Sequence, residues 1–343
     1  MSDHFFPHII ENAFLKARLE KDVAEGSLAH AYVLEGQNGS GRHTVALSTI
    51  AAITCHEGKE GGAVPCLRCP SCRKIMEGKS PDVKVIGLED DKATVGVEAI
   101  RLLKNDLVTA PTELPYKVFI LEDADCLTVQ AQNAFLLSLE EPPPYVLFFL
   151  ICENSGNLLE TVRSRAPILR TERIEDAKLE SALLSKDKRA VELRNDSPED
   201  WNQLLTVSAG SIGRGIELLD TRRRKQIFEY RASAKQMIGL LGSSRRADAF
   251  ETINSLGTKR QEILTRLTHL RYALRDLILL KKSDSAPLCF YEDREIASEL
   301  STRFTAQGLF QLYDAINTAT DDLEMNSNIR LTLTRMMSNA GLI

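Results

Sequence analysis

Ala31-Tyr-Val-Leu-Glu-Gly-Gln-Asn-Gly-Ser-Gly-Arg-His-Thr44 sets a short apolar segment directly before a glycine-rich turn and a helical run. Glycines at this point let backbone N–H groups curl round a phosphate at a helix N-terminus. Gly36, Gly39 and Gly41 fit the spacing Gly-x-x-x-x-Gly-Lys-[Ser/Thr], but the two chemical positions differ. Arg42 stands where a lysine would reach the β and γ phosphates, and a planar guanidinium is not a neutral exchange for an ammonium. His43 stands where a hydroxyl would coordinate Mg²⁺, and a neutral imidazole is a poor ligand for that ion. Thr44 is adjacent, but one helical step turns its side chain roughly 100° from the metal position. The loop therefore reads as a phosphate-binding turn that has lost hydrolysis, with ATP and Mg²⁺ binding itself left open.

The surrounding chain says what this loop is mounted on. Segments 31–34, 83–86, 117–121 and 145–151 are strand-like, and 97–107 and 129–139 are helix-like. Short apolar strands alternating with helices predict an α/β domain with a parallel sheet over residues 1–170. Val118-Phe-Ile-Leu-Glu-Asp-Ala-Asp125 ends its strand in carboxylates, where an NTPase holds its metal. Glu122 and Asp123 take the usual Asp-Glu positions in reversed identity. Each carboxylate sits about one methylene from the customary place, and catalysis is sensitive to ~1 Å. Helix capping is the other use such acids have. Residues 171–220 carry short helical patterns and a small-residue turn. From about residue 221 the periodicity is helical, with stripes at Ile227, Tyr230, Ala234, Met237 and Leu241 and at Ile263, Leu267, Leu270, Leu274 and Leu277.

Of seven cysteines, Cys55, Cys66, Cys69 and Cys72 cluster. Four soft ligands at such spacing suit a structural, tetrahedral Zn²⁺, with a Cys69–Cys72 redox pair as the alternative. A formal net charge of −5 argues against a whole-protein electrostatic grip on nucleic acid. The run Arg222-Arg-Arg-Lys225 is either a local basic patch or a solvated helix start. The longest apolar stretch, 145–152, is strand-sized. The first residues lack the basic-then-apolar order of a signal peptide. The expected setting is cytoplasmic, with no membrane contact.

Leu28-Ala-His-Ala-Tyr-Val33, the glycine loop, the four cysteines, Asn133-Ala-Phe-Leu-Leu-Ser-Leu-Glu-Glu-Pro-Pro143 and Arg163-Ser-Arg165 follow one another in that order. In that order they resemble bacterial clamp-loader subunits, an AAA+ family. Gly96-Val-Glu-Ala-Ile-Arg101 fits too, and beyond residue 170 the resemblance thins to 211–215 and Asn326-x-Asn328. The resemblance implies an α/β AAA+ P-loop domain with a zinc-binding insert (55–72), a small helical lid (171–220) and an all-α C-terminal collar for oligomerisation (221–343). It implies a hetero-pentameric ring with gamma/tau and delta subunits, part of the DNA-directed DNA polymerase holoenzyme, that places a sliding clamp on primed DNA. In this family a Ser-Arg-Cys motif carries an arginine finger that enters the neighbouring subunit's ATP site. Here it reads Ser164-Arg165-Ala166, so the finger is Arg165 and alanine replaces the cysteine. The family's polar sensor segment reads Cys152-Glu153-Asn154, a poor phosphate contact, whereas Arg214 matches the second sensor arginine. An intact finger beside Arg42 and His43 implies a subunit that serves a neighbour's catalysis without an ATPase of its own. The competing readings are a gamma/tau-like ATPase and a direct nucleic-acid binder using the zinc module and the basic run.

Overall fold

The computed structural model describes residues 4–60, 62–88, 94–242, 256–286 and 288–341. Five parallel strands, β1 (Ala31–Glu35), β2 (Val83–Ile86), β3 (Lys117–Leu121), β4 (Val146–Cys152) and β5 (Ile168–Arg170), make one sheet in the order β2-β3-β4-β1-β5 among the described residues. β3 and β4 are buried along their whole length, which is why both read as unbroken apolar runs. β2 lies at an edge and exposes Lys84 and Val85; a charge there discourages further strand pairing. β5, at the other edge, was not expected. Three residues are too few to display a strand pattern, and pairing of Val33 with Ile168 and of Glu35 with Arg170 defines it instead.

Alternation along the strands feeds two separate cores. Tyr32, Leu34, Val118, Ile120, Leu147 and Phe149 point to one face. They meet Leu15 and Leu19 of α1 (Ala13–Ala24), Val45 and Ile50 of α2 (Arg42–Thr54) and Ile75 of α3 (Pro70–Met76). Ala31, Val33, Phe119, Leu121, Phe148 and Leu150 point to the other face. There they meet Ile100 and Leu103 of α4 (Val97–Leu107), Phe135 and Leu139 of α5 (Val129–Glu140) and Val162 of α6 (Glu160–Arg163). Each face has its own aromatic contact: Tyr32 stacks on Phe149 at 5.7 Å, and Phe135 meets Phe148 edge-on at 5.1 Å.

The chain divides into two compact units: residues 1–179 with 210–214, which hold the sheet, and 180–209 with 215–343. The second is helical; in chain order, α7 (Asp176–Lys186), α8 (Lys188–Asp196), α9 (Pro198–Ser208) and α10 (Ile212–Leu218) precede the helices of its core. Its core gathers Ala234, Met237 and Leu241 of α11 (Thr221–Leu241), the stripe Ile263, Leu267, Leu270, Leu274 and Leu277 of α12 (Arg260–Leu280), Leu312 and Ile316 of α14 (Ala306–Glu324), and Leu333 and Met337 of α15 (Ile329–Asn339). The expected stripe on α12 is buried throughout, but Ile227 and Tyr230 at the start of α11 are only partly covered. The Asn326-x-Asn328 pair has a local reason. Asn326 takes the left-handed conformation at φ 63°, and the Asn328 side chain caps α15 by accepting from Leu331 N–H. Asp276 of α12 has no solvent exposure and accepts backbone N–H bonds from Cys289, Phe290 and Tyr291, fixing the chain ahead of α13 (Arg294–Thr302). No helix among the described residues is long and apolar enough to cross a membrane.

Candidate functional site

The glycine loop leaves β1 and is bound on both sides. Gly36 N–H donates to Cys152 O at 3.1 Å, and a Cβ on Gly36 would fall 1.8 Å from Thr171 Oγ1. Thr171 also shares a hydrogen bond with Ser40 at 2.8 Å. Gly39, at φ 74°, is pressed against 211–214, where a Cβ would lie 2.6 Å from Arg214 N and 2.7 Å from Ser211 Oγ. The Ser211 hydroxyl donates to Asn38 O at 3.1 Å, and Gly213 N–H donates to Gly39 O at 2.9 Å. The backbone of Arg214 is thus delivered to the loop across 173 residues of chain, counted from Asn38 to Ser211. Gly41, at φ 90°, is the cap before α2. The helix therefore starts at Arg42, two residues earlier than the sequence suggested, and both Arg42 and His43 lie in its first turn.

His43 Nδ1 lies 2.6 Å from Glu122 Oε1, close but poorly directed for a hydrogen bond. This contact, with a smaller contribution from nearby Arg42, holds the Glu122 carboxyl below the usual carboxylate range despite partial burial. Arg42 is 8% exposed. Thr44 is exposed. Asp123, left-handed at φ 50°, behaves oppositely. Burial first, then the charges of Glu122 and Asp125, raise its carboxyl. Asp125 reaches across to β4 and accepts from the N–H groups of Glu153 and Asn154 at 3.0 and 3.1 Å. The Cys152 thiol is pushed up to about 12, by burial above all. The loop, the reversed acids and the end of β4 are therefore together, as the strand order requires.

The four clustered cysteines have sulfurs within 4.8 Å of one another. Three of those sulfurs accept backbone N–H groups. Gly58 and Cys66 donate to Cys55 at 3.3 Å, Cys69 to Cys66 at 3.4 Å, and Cys72 to Cys69 at 3.4 Å. Leu67, left-handed at φ 57°, makes the tight turn that permits this. Burial opposes ionisation of Cys66, but the N–H groups of Cys69 and Arg68 outweigh it and bring the thiol down to about 7. Cys72 is pushed up, by burial first. A tetrahedron with metal–sulfur bonds of about 2.3 Å has edges of about 3.8 Å, and Cys66 and Cys72 sulfurs are 4.0 Å apart. The cluster is a closed donor set that fits a metal ion.

Arg165 follows α6, between Val162 at 1% and Ala166 at 4% exposure. The alanine that departs from the motif is thus a buried anchor. The arginine side chain itself is 34% exposed. Its Nη1 donates to Thr161 O at 2.8 Å and its Nη2 to Glu140 Oε1 at 2.6 Å. In the basic run, Arg222, Arg223 and Lys225 are exposed at a helix start capped by Asp220. Arg224 is buried, donating to Leu218 O at 3.2 Å and lying 3.6 Å from Asp200. Sequence reasoning missed Glu140, Asp125, Thr171 and Ser211. Glu140 stood inside a quoted motif but was read only as part of a helix stop.

A family model described as DNA polymerase III, delta subunit, matches residues 11–175. The tau subunit of DNA polymerase III from Bacillus subtilis is 24% identical over 343 residues, 95% of this chain and 59% of that protein. The delta' subunit from the same organism is 27% identical over 282 residues, covering 82% and 79%. The delta' subunit of Pseudomonas aeruginosa is 32% identical over 184 residues, 53% of each chain. The match thus spans less than two thirds of the tau subunit and about half of the Pseudomonas protein. With the motif order, the parallel sheet and these matches in hand, residues 11–175 belong to the clamp-loader subunit family of DNA polymerase III.

Proposed function

We propose that the chain is a delta-prime type of subunit, with a silent nucleotide loop, that lends Arg165 to the ATP site of a neighbouring gamma/tau motor. The observation that carries this reading is the 2.6 Å approach of His43 to Glu122. In a motor, a loop hydroxyl and a strand-end acid hold Mg²⁺ between them. Here an imidazole rests on the acid, and the second acid, Asp123, is disfavoured as an anion. Arg165 is different: it is partly exposed on a buried footing, and a guanidinium supplied from outside can stabilise charge developing on a transferring phosphate. Cys55, Cys66, Cys69 and Cys72 would hold one structural Zn²⁺, which when bound cross-links 55–72. In this reading residues 171–220 act as a lid and 221–343 as the collar of a hetero-pentameric ring with gamma/tau and delta subunits, loading the sliding clamp onto primed DNA.

A gamma/tau-like ATPase is the second reading, favoured by the tau relative matching 95% of this chain. Turnover decides between them. The isolated chain should not hydrolyse ATP, and a complex rebuilt with gamma/tau and delta subunits should lose most of its DNA- and clamp-stimulated turnover with Arg165→Ala. Motor-like hydrolysis by the chain alone would install the second reading, and unchanged turnover of an assembled Arg165→Ala complex would remove Arg165 from the mechanism.

A further inference from the structure

Glu140 is the last residue of α5, set just before Glu141-Pro142-Pro143, and it is the one carboxylate that meets Arg165 among the described residues. We propose that Glu140 is a positioning residue that holds the Arg165 guanidinium ready for a neighbour's phosphate, an inference that rests on the trans-acting role proposed above. The geometry supports a hold at two points. Nη1 is tied to the carbonyl of Thr161 at 2.8 Å on α6, and Nη2 to Glu140 at 2.6 Å on α5. The Arg165 backbone is fixed as well, its N–H donating to Val162 O at 3.1 Å between the buried Val162 and Ala166. The Arg165 Nε makes no hydrogen bond among the described residues, so the guanidinium keeps donors to offer while its orientation is set.

Glu140 itself is well placed to be rigid. A helix end followed, after Glu141, by the three prolines Pro142, Pro143 and Pro144 leaves its backbone little freedom. The Glu140 side chain is 43% exposed, so the pair contributes little to stability and its loss leaves the fold intact. What the pair changes is the freedom of the finger. An untethered arginine spreads over many rotamers, and confining it again at each turnover lowers the rate by up to roughly thirty-fold. This reduction belongs in kcat rather than KM, because the neighbour's ground-state ATP contacts are untouched.

The test uses the full chain assembled with gamma/tau and delta subunits, sliding clamp and primed DNA, with ATP turnover followed over a range of ATP concentrations. Glu140→Ala is expected to lower kcat about three- to thirty-fold at unchanged KM and unchanged assembly by gel filtration. Glu140→Gln, which keeps an acceptor in place, is expected to recover at least half of the lost rate. If Arg165→Ala impairs turnover but Glu140→Ala turns over like wild type, the positioning role is wrong and the finger stands. Equal loss in Glu140→Ala and Glu140→Gln, or loss that follows failed assembly, also overturns it. If Arg165→Ala has no effect, the underlying trans-acting reading fails first.

Discussion

Replacing Gly39 and Gly41 by alanine, one at a time, separates two reasons a chain uses glycine. Both residues sit at positive φ, 74° and 90°, and alanine in that region costs about 1–2 kcal/mol. The space around them differs. A Cβ at Gly41 meets nothing within 4 Å, whereas at Gly39 it would lie 2.6 Å from Arg214 N and 2.7 Å from Ser211 Oγ. Gly39→Ala must therefore push 211–214 away, weakening the Gly213 N–H bond to Gly39 O and the Ser211 bond to Asn38 O. At about 1 kcal/mol for each of the two bonds, detachment of the segment becomes about 2 kcal/mol easier, or roughly thirty-fold more frequent. Hydrogen exchange at 210–214 reads this directly, since local opening sets its rate. In denaturant Gly41→Ala should lose about 1–2 kcal/mol and Gly39→Ala about 2 kcal/mol more, and only Gly39→Ala should speed exchange in the segment. Equal exchange in the two variants would mean that loop packing does not secure 211–214.

Other consequences are equally concrete. Asp276→Ala strands the buried N–H groups of Phe290 and Tyr291 and the partly buried one of Cys289, at about 1–3 kcal/mol each. Urea unfolding of the helical unit should therefore shift by roughly 3–6 kcal/mol, and Asp276→Asn, which keeps one acceptor oxygen, by about 1–2. The two strand-end acids should respond to pH with opposite signs. Glu122 is lowered, so its contribution exists above the ordinary carboxylate range and is lost as pH falls through its own depressed value. Asp123 is raised, so its ionisation costs stability at neutral pH, a cost relieved as pH falls through its elevated value. In thermal melts at neutral pH, Glu122→Gln should lower Tm and Asp123→Asn raise it, both slightly because both groups retain solvent contact. The purified chain should carry about one Zn²⁺, and Cys72→Ser should abolish tight retention while exposing thiols to a colorimetric reagent. Full retention of zinc by that variant would contradict the closed four-sulfur site.

How much of this was legible depended on whether the cause was local. β3 and the 97–107 helix were readable residue for residue, because an apolar run and a stripe at Ile100, Leu103 and Leu107 are written in consecutive positions. β4 was displaced by one residue because Tyr145 is as apolar a neighbour as Cys152, and only pairing of Glu35 with Cys152 fixes the end. The four cysteines were legible from spacing alone, but the N–H donors that suit them to a metal were not. Contacts between distant segments left no periodic trace. Ser211 finds Asn38, and Arg165 finds Glu140, 25 positions away. For Arg42 and His43 the chemistry was visible in the residue types, whereas the approach of His43 to Glu122 required the sheet to bring β3 beside the loop.

The glycines themselves lead to a less obvious conclusion about how such loops diverge. Gly36 has no room for a side chain because Thr171 is there, Gly39 because Ser211 and Arg214 are there, and Gly41 starts α2 from a left-handed conformation. None of these requirements involves a phosphate. They arise from packing of the loop on its own chain, and they would persist after nucleotide chemistry had gone. A glycine signature is therefore weak grounds for activity in this family, because packing alone can keep it in place. The residues that discriminate are those whose only other use is chemical, and at 42 and 43 the chain has spent them on its own acids. A guanidinium buried near Glu122 supplies from within positive charge that a metal would otherwise bring, and the His43 imidazole rests against the same acid. On the function proposed above, the sheet unit keeps the shape of a nucleotide-binding domain, and carries Arg165 on it, without a nucleotide to hold it together.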